Sequence, residues 1–243
     1  MQRSLFRRHF AAVVTTAGLA CALLMTSEAR ASFLSLDFGA AGFGQAGFQN
    51  VTPSTSVATA SFPFTTPSDV TSGTTTVGLT SSAGNFRVID RGTAANNLPA
   101  GGAFNNLYRD AVLPNDGATL TIGITGLNAS TSYQLDLYSY DAQPVVRQET
   151  FTVTGGTLTG GTPTPSGNAV TFTANTVPNN QYDDAARLTV TSTAAGSITV
   201  VQSSTSTVPF LNGLEISAVP EPTSLGLLGV GGLGLLARRR RRA

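Results

Sequence analysis

The side chains of residues 32–219 that could do chemistry are carboxylates, tyrosines and arginines. This stretch has no histidine, cysteine or lysine, and its five arginines face eleven acidic residues. A Ser-His-Asp triad, a cysteine nucleophile, a zinc site on Cys or His and a disulfide framework are therefore excluded. The acidic balance also excludes a basic nucleic-acid footprint. What remains is carboxylate chemistry: a glycosidase-like acid/base pair or a calcium site of oxygen ligands.

Tyrosines and charged residues at the ends of predicted strands form a candidate ligand loop. Tyrosine rings can stack on a sugar, and a carboxylate beside them can hydrogen-bond its hydroxyls. The structural alternatives are tyrosines packed at a sheet edge, an aspartate that caps a turn, and an Arg–Asp pair that fixes a loop. The candidate residues are Tyr108, Arg109, Tyr138, Tyr140 and Asp141.

Two other groups of acids bear on metal binding and hydrolysis. Asp183 and Asp184 could give oxygens to calcium, but their spacing is not that of an EF-hand, and an exposed turn is the competing interpretation. Glu149 and Glu215 lie in predicted strands, and sequence does not give the separation that glycoside hydrolysis needs. No catalytic residue, cofactor or metal ligand is therefore assigned, and a structural calcium ion stays open.

Short strands separated by turn residues must position these side chains. Threonine and valine favour strands, and Gly, Pro, Asn and Asp interrupt them. In Tyr133–Tyr140 the side chains alternate, so Tyr133, Leu135 and Leu137 face one side of a sheet. The pattern predicts an all-β fold, an antiparallel β-sandwich or jelly roll, in one domain over residues 32–218. The predicted strands are Phe33–Phe38, Thr74–Thr80, Phe86–Asp90, Ala118–Ile124, Ser132–Tyr140, Gln148–Val153, Ala169–Ala174, Ala186–Thr191, Ser197–Gln202 and Gly213–Ser217, with loops at Arg91–Ala103 and Gly155–Gly167.

Four segments resemble parts of a galactose-binding-like or malectin-like β-sandwich. They are Leu36–Gly39 as the opening strand, Phe104–Asp110 before a central strand, Leu120–Asp141 as a hairpin, and Leu211–Ile216 as the closing strand. The resemblance implies that the closing strand pairs with the opening strand. Such folds are common among carbohydrate-binding modules, which often use tryptophan as a stacking platform. This chain has no tryptophan, so tyrosine would have to serve.

The first 31 residues have the layout of a secretory signal peptide. Basic residues at Arg3, Arg7 and Arg8 precede an apolar stretch, and Ala29 and Ala31 form a small-residue cleavage site. Arg7 and Arg8 also fit a twin-arginine signal, so the export machinery stays open between two routes. An uncleaved N-terminal anchor is the alternative.

Residues 219–243 combine three elements in a fixed order. Pro220, Glu221 and Pro222 precede an apolar, glycine-rich run, which we expect to form a short transmembrane helix. At about 1.5 Å per residue, that helix falls short of the ~30 Å hydrocarbon core, which suits a transient membrane hold. The arginines would stay on the cytoplasmic side. They are Arg238, Arg239, Arg240, Arg241 and Arg242.

This tail resembles the PEP-CTERM sorting signal of Gram-negative bacteria. The resemblance implies that exosortase, a membrane peptidase, cleaves near Pro220–Pro222. The precursor would be anchored in the inner membrane, and the product would be at the cell surface or extracellular. We expect a non-catalytic protein associated with exopolysaccharide or biofilm matrix and binding carbohydrate. A carboxylate-based glycan-active enzyme and a purely structural surface protein are the alternatives.

Overall fold

Most of the strands form where the sequence alternates apolar with small polar residues. The computed structural model describes residues 32–42, 44–66, 71–91, 104–115, 117–141, 146–174, 178, 180–205 and 208–219. All the strands belong to one compact unit, Ser32–Val219. The elements of the described residues are β1 (Leu34–Phe38), β2 (Gln49–Val51), β3 (Thr59–Thr65), β4 (Thr71–Ser81), β5 (Phe86–Asp90), α1 (Asn105–Arg109), β6 (Asp110–Pro114), β7 (Leu120–Leu127), β8 (Ser132–Tyr138), β9 (Arg147–Gly155), β10 (Thr157–Thr162), β11 (Ala169–Ala174), β12 (Ala185–Thr191), β13 (Ser197–Ser204) and β14 (Gly213–Ala218).

Two six-stranded sheets face each other across the core. Sheet A has the strand order β10-β12-β8-β14-β1-β2, and sheet B has the order β11-β9-β13-β7-β4-β3. Neighbouring strands are antiparallel except β1 and β2. A separate ribbon joins β5 to β6 and contacts the closing segment through a bridge between Val112 and Leu211. The predicted antiparallel β-sandwich is thus confirmed.

The opening and closing strands pair as the resemblance implied. Leu34 of β1 lies opposite Ile216 of β14, and Leu36 lies opposite Leu214. The inward-facing residues of both sheets form one buried apolar cluster, which includes Tyr133, Leu135 and Leu137. Burying this apolar surface is the main favourable contribution to folding, since five arginines and no disulfide leave little else to stabilise the domain.

The predicted terminal segments lie outside the described residues. They are the signal peptide at 1–31 and the apolar helix with its arginines after residue 219. No helix in the part of the chain that the structure describes is long and apolar enough to cross a membrane.

Candidate functional site

The predicted ligand tyrosines are buried on the outer face of sheet A. Tyr108, Tyr138 and Tyr140 are 2%, 0% and 4% exposed. The ring centroid of Tyr108 lies 6.2 Å from that of Tyr138 and 5.7 Å from that of Tyr140, both in edge-on geometry. Leu107 of α1 packs in the same cluster. A sugar needs an exposed ring face to stack on, so the hypothesis of a platform formed by these three tyrosines is wrong.

Their hydroxyl groups are held in the interior as well. The hydroxyl of Tyr108 donates to the carbonyl oxygen of Gln181 at 2.6 Å. Burial is the main reason that the pKa values of Tyr108 and Tyr138 lie above their ordinary range, and it raises the pKa of Tyr140 to about 12. All three phenols therefore stay neutral over the physiological range.

Asp141 forms the centre of a buried ion cluster and does not face a ligand. Its carboxylate accepts two hydrogen bonds from Arg91, at 3.0 and 3.2 Å, and two from Arg147, at 3.2 and 2.8 Å. The guanidinium of Arg147 also lies over the ring of Phe210, 4.1 Å from its centroid. With Asp141 3% exposed, its role is structural, which corrects the hypothesis that it bonds a sugar.

Arg109 is the one predicted ligand residue that stays partly exposed. Its guanidinium donates to both carboxylate oxygens of Asp90, at 2.7 and 2.8 Å. This bond raises the pKa of Arg109. The Arg–Asp pair expected here exists, but Asp90 is the partner. The adjacent Asp110 is buried and bonded to the backbone N–H of Ala40 at 2.6 Å.

The two aspartates considered as calcium ligands lie in different environments, one exposed and one buried. Asp183 is exposed and accepts a 3.1 Å hydrogen bond from the backbone N–H of Asn180, as the turn interpretation expects. Asp184 is 1% exposed, and burial raises its pKa to about 7. Among the described residues, no three or more His, Cys, Asp or Glu side chains come together as a metal site.

An exposed aromatic ring does occur beside this tyrosine cluster, and sequence analysis missed it. Tyr182 is 46% exposed and stacks on Tyr138, with 6.2 Å between centroids and 28° between ring planes. The guanidinium of Arg187 lies 4.5 Å from the centroid of Tyr182. The ring is thus supported by neighbours while almost half its surface remains in solvent.

A row of polar residues crosses sheet A next to Tyr182. The strand registers place Arg187 opposite Asp136, Asp136 opposite Glu215, and Glu215 opposite Ser35. Side chains alternate along each strand, and the neighbours Leu135, Leu137, Leu188, Leu214 and Ile216 lie in the core. The row therefore lies on the outer face, and we call this row with Tyr182, Gln181 and Gln134 the Tyr182 face.

Hydrogen bonds order the Tyr182 face. Arg187 donates to one oxygen of Asp136 at 2.8 Å, and the amide of Gln134 donates to the other at 3.0 Å. The amide of Gln181 donates to the Tyr138 hydroxyl at 2.8 Å and to Glu215 at 2.7 Å, while that hydroxyl also donates to Glu215. Burial raises the pKa of Asp136, and the bonds from Arg187 and Gln134 oppose the shift.

A weak signal for this face exists in the sequence. Gln134 and Asp136 alternate with core residues, so their outward direction was predictable, and Tyr182 follows two asparagines and a glutamine. What could not be seen is that strand pairing puts Arg187 and Glu215 on either side of Asp136.

Comparisons with known proteins find weak structural similarity over part of the chain. TmCBM61 in complex with β-1,4-galactotriose is 9% identical, covers 58% of this chain and 83% of its own, and has a TM-score of 0.30. CBM35 from Cellvibrio japonicus Abf62 is 13% identical, with coverages of 54% and 92% and a TM-score of 0.28. The mosquito-larvicidal Cry4Aa toxin from Bacillus thuringiensis is 14% identical, with coverages of 57% and 24% and a TM-score of 0.31. Scores this low carry no argument about the ligand. None of the curated proteins compared with the chain matches it.

The sequence match at the tail is specific. The model of the PEP-CTERM protein-sorting motif matches residues 218–242, which agrees with the predicted tail apart from one residue at each end. This motif marks proteins that are exported, held in the membrane as precursors and processed by exosortase before they become surface-associated. The chain therefore carries a PEP-CTERM sorting motif and is an exported substrate of exosortase.

Proposed function

We propose that the processed protein is a non-catalytic binding protein of the extracellular matrix and that it binds a polysaccharide through the Tyr182 face. The main support for the proposal is the half-exposed ring of Tyr182, which stacks on Tyr138 and lies beside an ordered row of polar groups. A sugar ring offers a C–H face that packs on an aromatic ring and hydroxyls that need both donors and acceptors.

The polar groups next to Tyr182 suit such a ligand. Asp136 and Glu215 accept hydrogen bonds, the amides of Gln134 and Gln181 do both, and Arg187 donates. The Arg187 side chain is 41% exposed, and its Nε–H group donates a hydrogen bond to Asp136. Bonds between these side chains hold them in place before a ligand arrives, which lowers the entropy cost of binding.

Binding to the exopolysaccharide of the producing cell tests the proposal. In isothermal titration calorimetry, Tyr182→Ala is expected to weaken binding about 10- to 100-fold, since loss of an aromatic anchor costs on the order of 2 kcal/mol. Tyr182→Phe keeps the ring and should bind nearly as the wild type does. Val57→Ala, which shortens another exposed apolar residue, is the matched control and should change nothing. Equal affinity of Tyr182→Ala and wild type would refute the assignment to this face.

One observation favours a second candidate, carboxylate-based glycan cleavage. Asp136 and Glu215 lie opposite each other on adjacent strands and on the same outer face, as a hydrolytic acid pair must. Each carboxylate, however, already holds two or more partners on the protein. Release of reducing sugar by wild type and its loss in Glu215→Gln would replace binding with hydrolysis. A purely structural protein would bind no glycan in either assay.

Processing at the tail gives a prediction of its own. In cells with exosortase we expect the secreted protein to begin at Ser32 and to end near Pro220 by intact mass. In cells without exosortase the arginine tail should persist in the membrane fraction. Replacing Pro220, Glu221 and Pro222 with alanine should reproduce that retention in the wild-type strain. Normal release of this triple variant would contradict recognition through the motif.

A further inference from the structure

Two buried aspartates converge on the chain that leaves β1. Asp37 of β1 is 0% exposed and Asp110, the first residue of β6, is 1% exposed. One oxygen of Asp37 accepts a 2.6 Å hydrogen bond from the backbone N–H of Gln45. One oxygen of Asp110 accepts a 2.6 Å bond from the backbone N–H of Ala40. Each carboxyl group thus accepts a backbone hydrogen bond from the chain that follows β1.

The second oxygen of each carboxyl group is left unbonded by the part of the chain that the structure describes. Oδ1 of Asp37 and Oδ1 of Asp110 are both buried and have no hydrogen-bond partner among the described residues. No salt bridge in the described part of the chain includes either residue. Burial, and next the charge of Asp37, raise the pKa of Asp110 to about 7.

The surrounding backbone is built to bring the Asp110 carboxyl into this position. A Cβ atom placed on Gly39 would lie 2.0 Å from Cγ of Asp110, so only glycine lets the carboxyl approach. The side chain of Asn212 donates to the carbonyl oxygen of Asp110 at 2.7 Å and accepts from the backbone N–H of Tyr140 at 2.6 Å. Asp110 is therefore fixed in both its backbone and its side chain.

Two uncompensated charges in the interior are costly, and a folded protein relieves them with a proton or with a cation. Arg109 offsets the charge of Asp110 only in part, because its guanidinium is bonded to both oxygens of Asp90. Carboxylate oxygens are hard ligands, and calcium accepts them in flexible geometry together with carbonyl and water oxygens. Magnesium, which demands near-octahedral geometry, suits a site with two fixed carboxylates less well.

We propose that Asp37 and Asp110 each give one oxygen to a calcium ion that joins the start of β6 to the chain after β1. With two acidic ligands, the remaining oxygens would come from backbone carbonyls and water. The affinity should be that of extracellular modules, with a Kd of about 10⁻⁴–10⁻³ M. Asp37 lies two residues along β1 from Ser35, on the same outer face of sheet A, but the site shares no residue with the Tyr182 face and does not depend on the proposed glycan binding.

Calcium binding can be measured on the intact processed protein after treatment with a chelator. At about pH 7.5 we expect one saturable site for CaCl₂ in isothermal titration calorimetry. About 10 mM CaCl₂ should raise Tm by roughly 3–11 °C, because calcium that binds the folded state alone stabilises it by RT ln(1 + [Ca²⁺]/Kd). The same concentration of MgCl₂ should raise Tm much less.

Isosteric variants locate the site. Asp37→Asn and Asp110→Asn keep the acceptor for the backbone N–H and should lose the calcium-dependent rise in Tm. Asp183→Asn, which changes an exposed acid, is the matched control and should keep it. If one variant fails to fold, the other still locates the site. Absence of calcium binding to wild type, or a calcium-dependent rise in Tm that persists in Asp37→Asn or Asp110→Asn, would overturn the proposal.

Discussion

Replacing Asp141 with alanine is expected to lower the free energy of unfolding by about 3–5 kcal/mol, because it removes the carboxylate with which the buried guanidinium of Arg147 forms its ion pair. The side chain of Arg147 is 8% exposed, and both of its hydrogen bonds to Asp141 would be lost. For a domain of this size Tm should fall by roughly 6–20 °C. Urea denaturation followed by circular dichroism measures the change.

Arg91 supplies the matched control for this cluster. Its side chain is 23% exposed, against 1% for Asp141, so water can partly replace the bonds that it makes. Arg91→Ala should therefore cost about 1 kcal/mol, in the range of pairs near the surface. If Asp141→Ala were as mild as Arg91→Ala, the buried cluster would not be the structural tie that its hydrogen bonds suggest.

The strands were predictable because side chains along a strand alternate between its two faces, and this alternation is visible in a short stretch of sequence. Each of the ten predicted strands overlaps a strand of the structure, and Phe86–Asp90 and Ala169–Ala174 agree in both bounds. The missed strands are β2, β3, β6 and β10; β6 does not alternate because all five of its residues are buried, whereas β3 alternates but contains a proline. β3 contains Pro63, which is tolerated because β3 lies at the edge of sheet B, and β10 contains two glycines within a region that we interpreted as a loop.

The burial of the tyrosine cluster was not predictable from alternation. The pattern placed Tyr138 opposite to the core residues Leu135 and Leu137, and this direction is correct. Alternation says which face a residue lies on, but it cannot say whether another segment covers that face. Here α1 and the turn around Gln181 cover it, so Tyr138 is buried on the outer side of its own sheet.

Pairing between strands that are distant in the sequence explains why the rows of outward-facing residues could not be predicted. On the outer face of sheet B, one row crosses all six strands, and it contains no charged residue. Neighbouring strands pair Thr152 with Val201, Thr121 with Thr80, and Thr80 with Thr59. These residues, four threonines and Val201, are scattered through the sequence, and only pairing between distant strands aligns them. The same argument applies to Arg187, Asp136 and Glu215, which span about 80 residues of chain.

The stability of the calcium-free protein is expected to fall as the pH rises from about 5 to about 8. Burial is the main cause that raises the pKa of Asp37, Asp110 and Asp184 to about 7 and that of Glu149 to about 8. In the unfolded chain these carboxyls titrate near 3.9 and 4.3, so the folded state binds more protons between those limits. The resulting stability is complete below about pH 4 and is lost as the pH rises through the folded pKa values.

Charged residues near these buried carboxyl groups influence how steeply stability falls with pH. Asp110 faces Asp37 and Asp90, which add to its shift, and Arg109, which opposes it, while Arg147 opposes the shift of Glu149.

With a chelator present we therefore expect Tm to fall by about 10 °C or more between pH 5 and pH 8. Asp37→Asn removes one of the four carboxyl groups and the repulsion that Asp37 exerts on Asp110. The Tm of this variant should therefore depend less steeply on pH. At pH 8 calcium should restore the Tm of the wild type, because it binds the ionised pair of carboxylates. It should not restore the Tm of Asp37→Asn. A Tm that rises from pH 5 to pH 8 in chelator would mean that the native structure opens to hydrate these carboxylates.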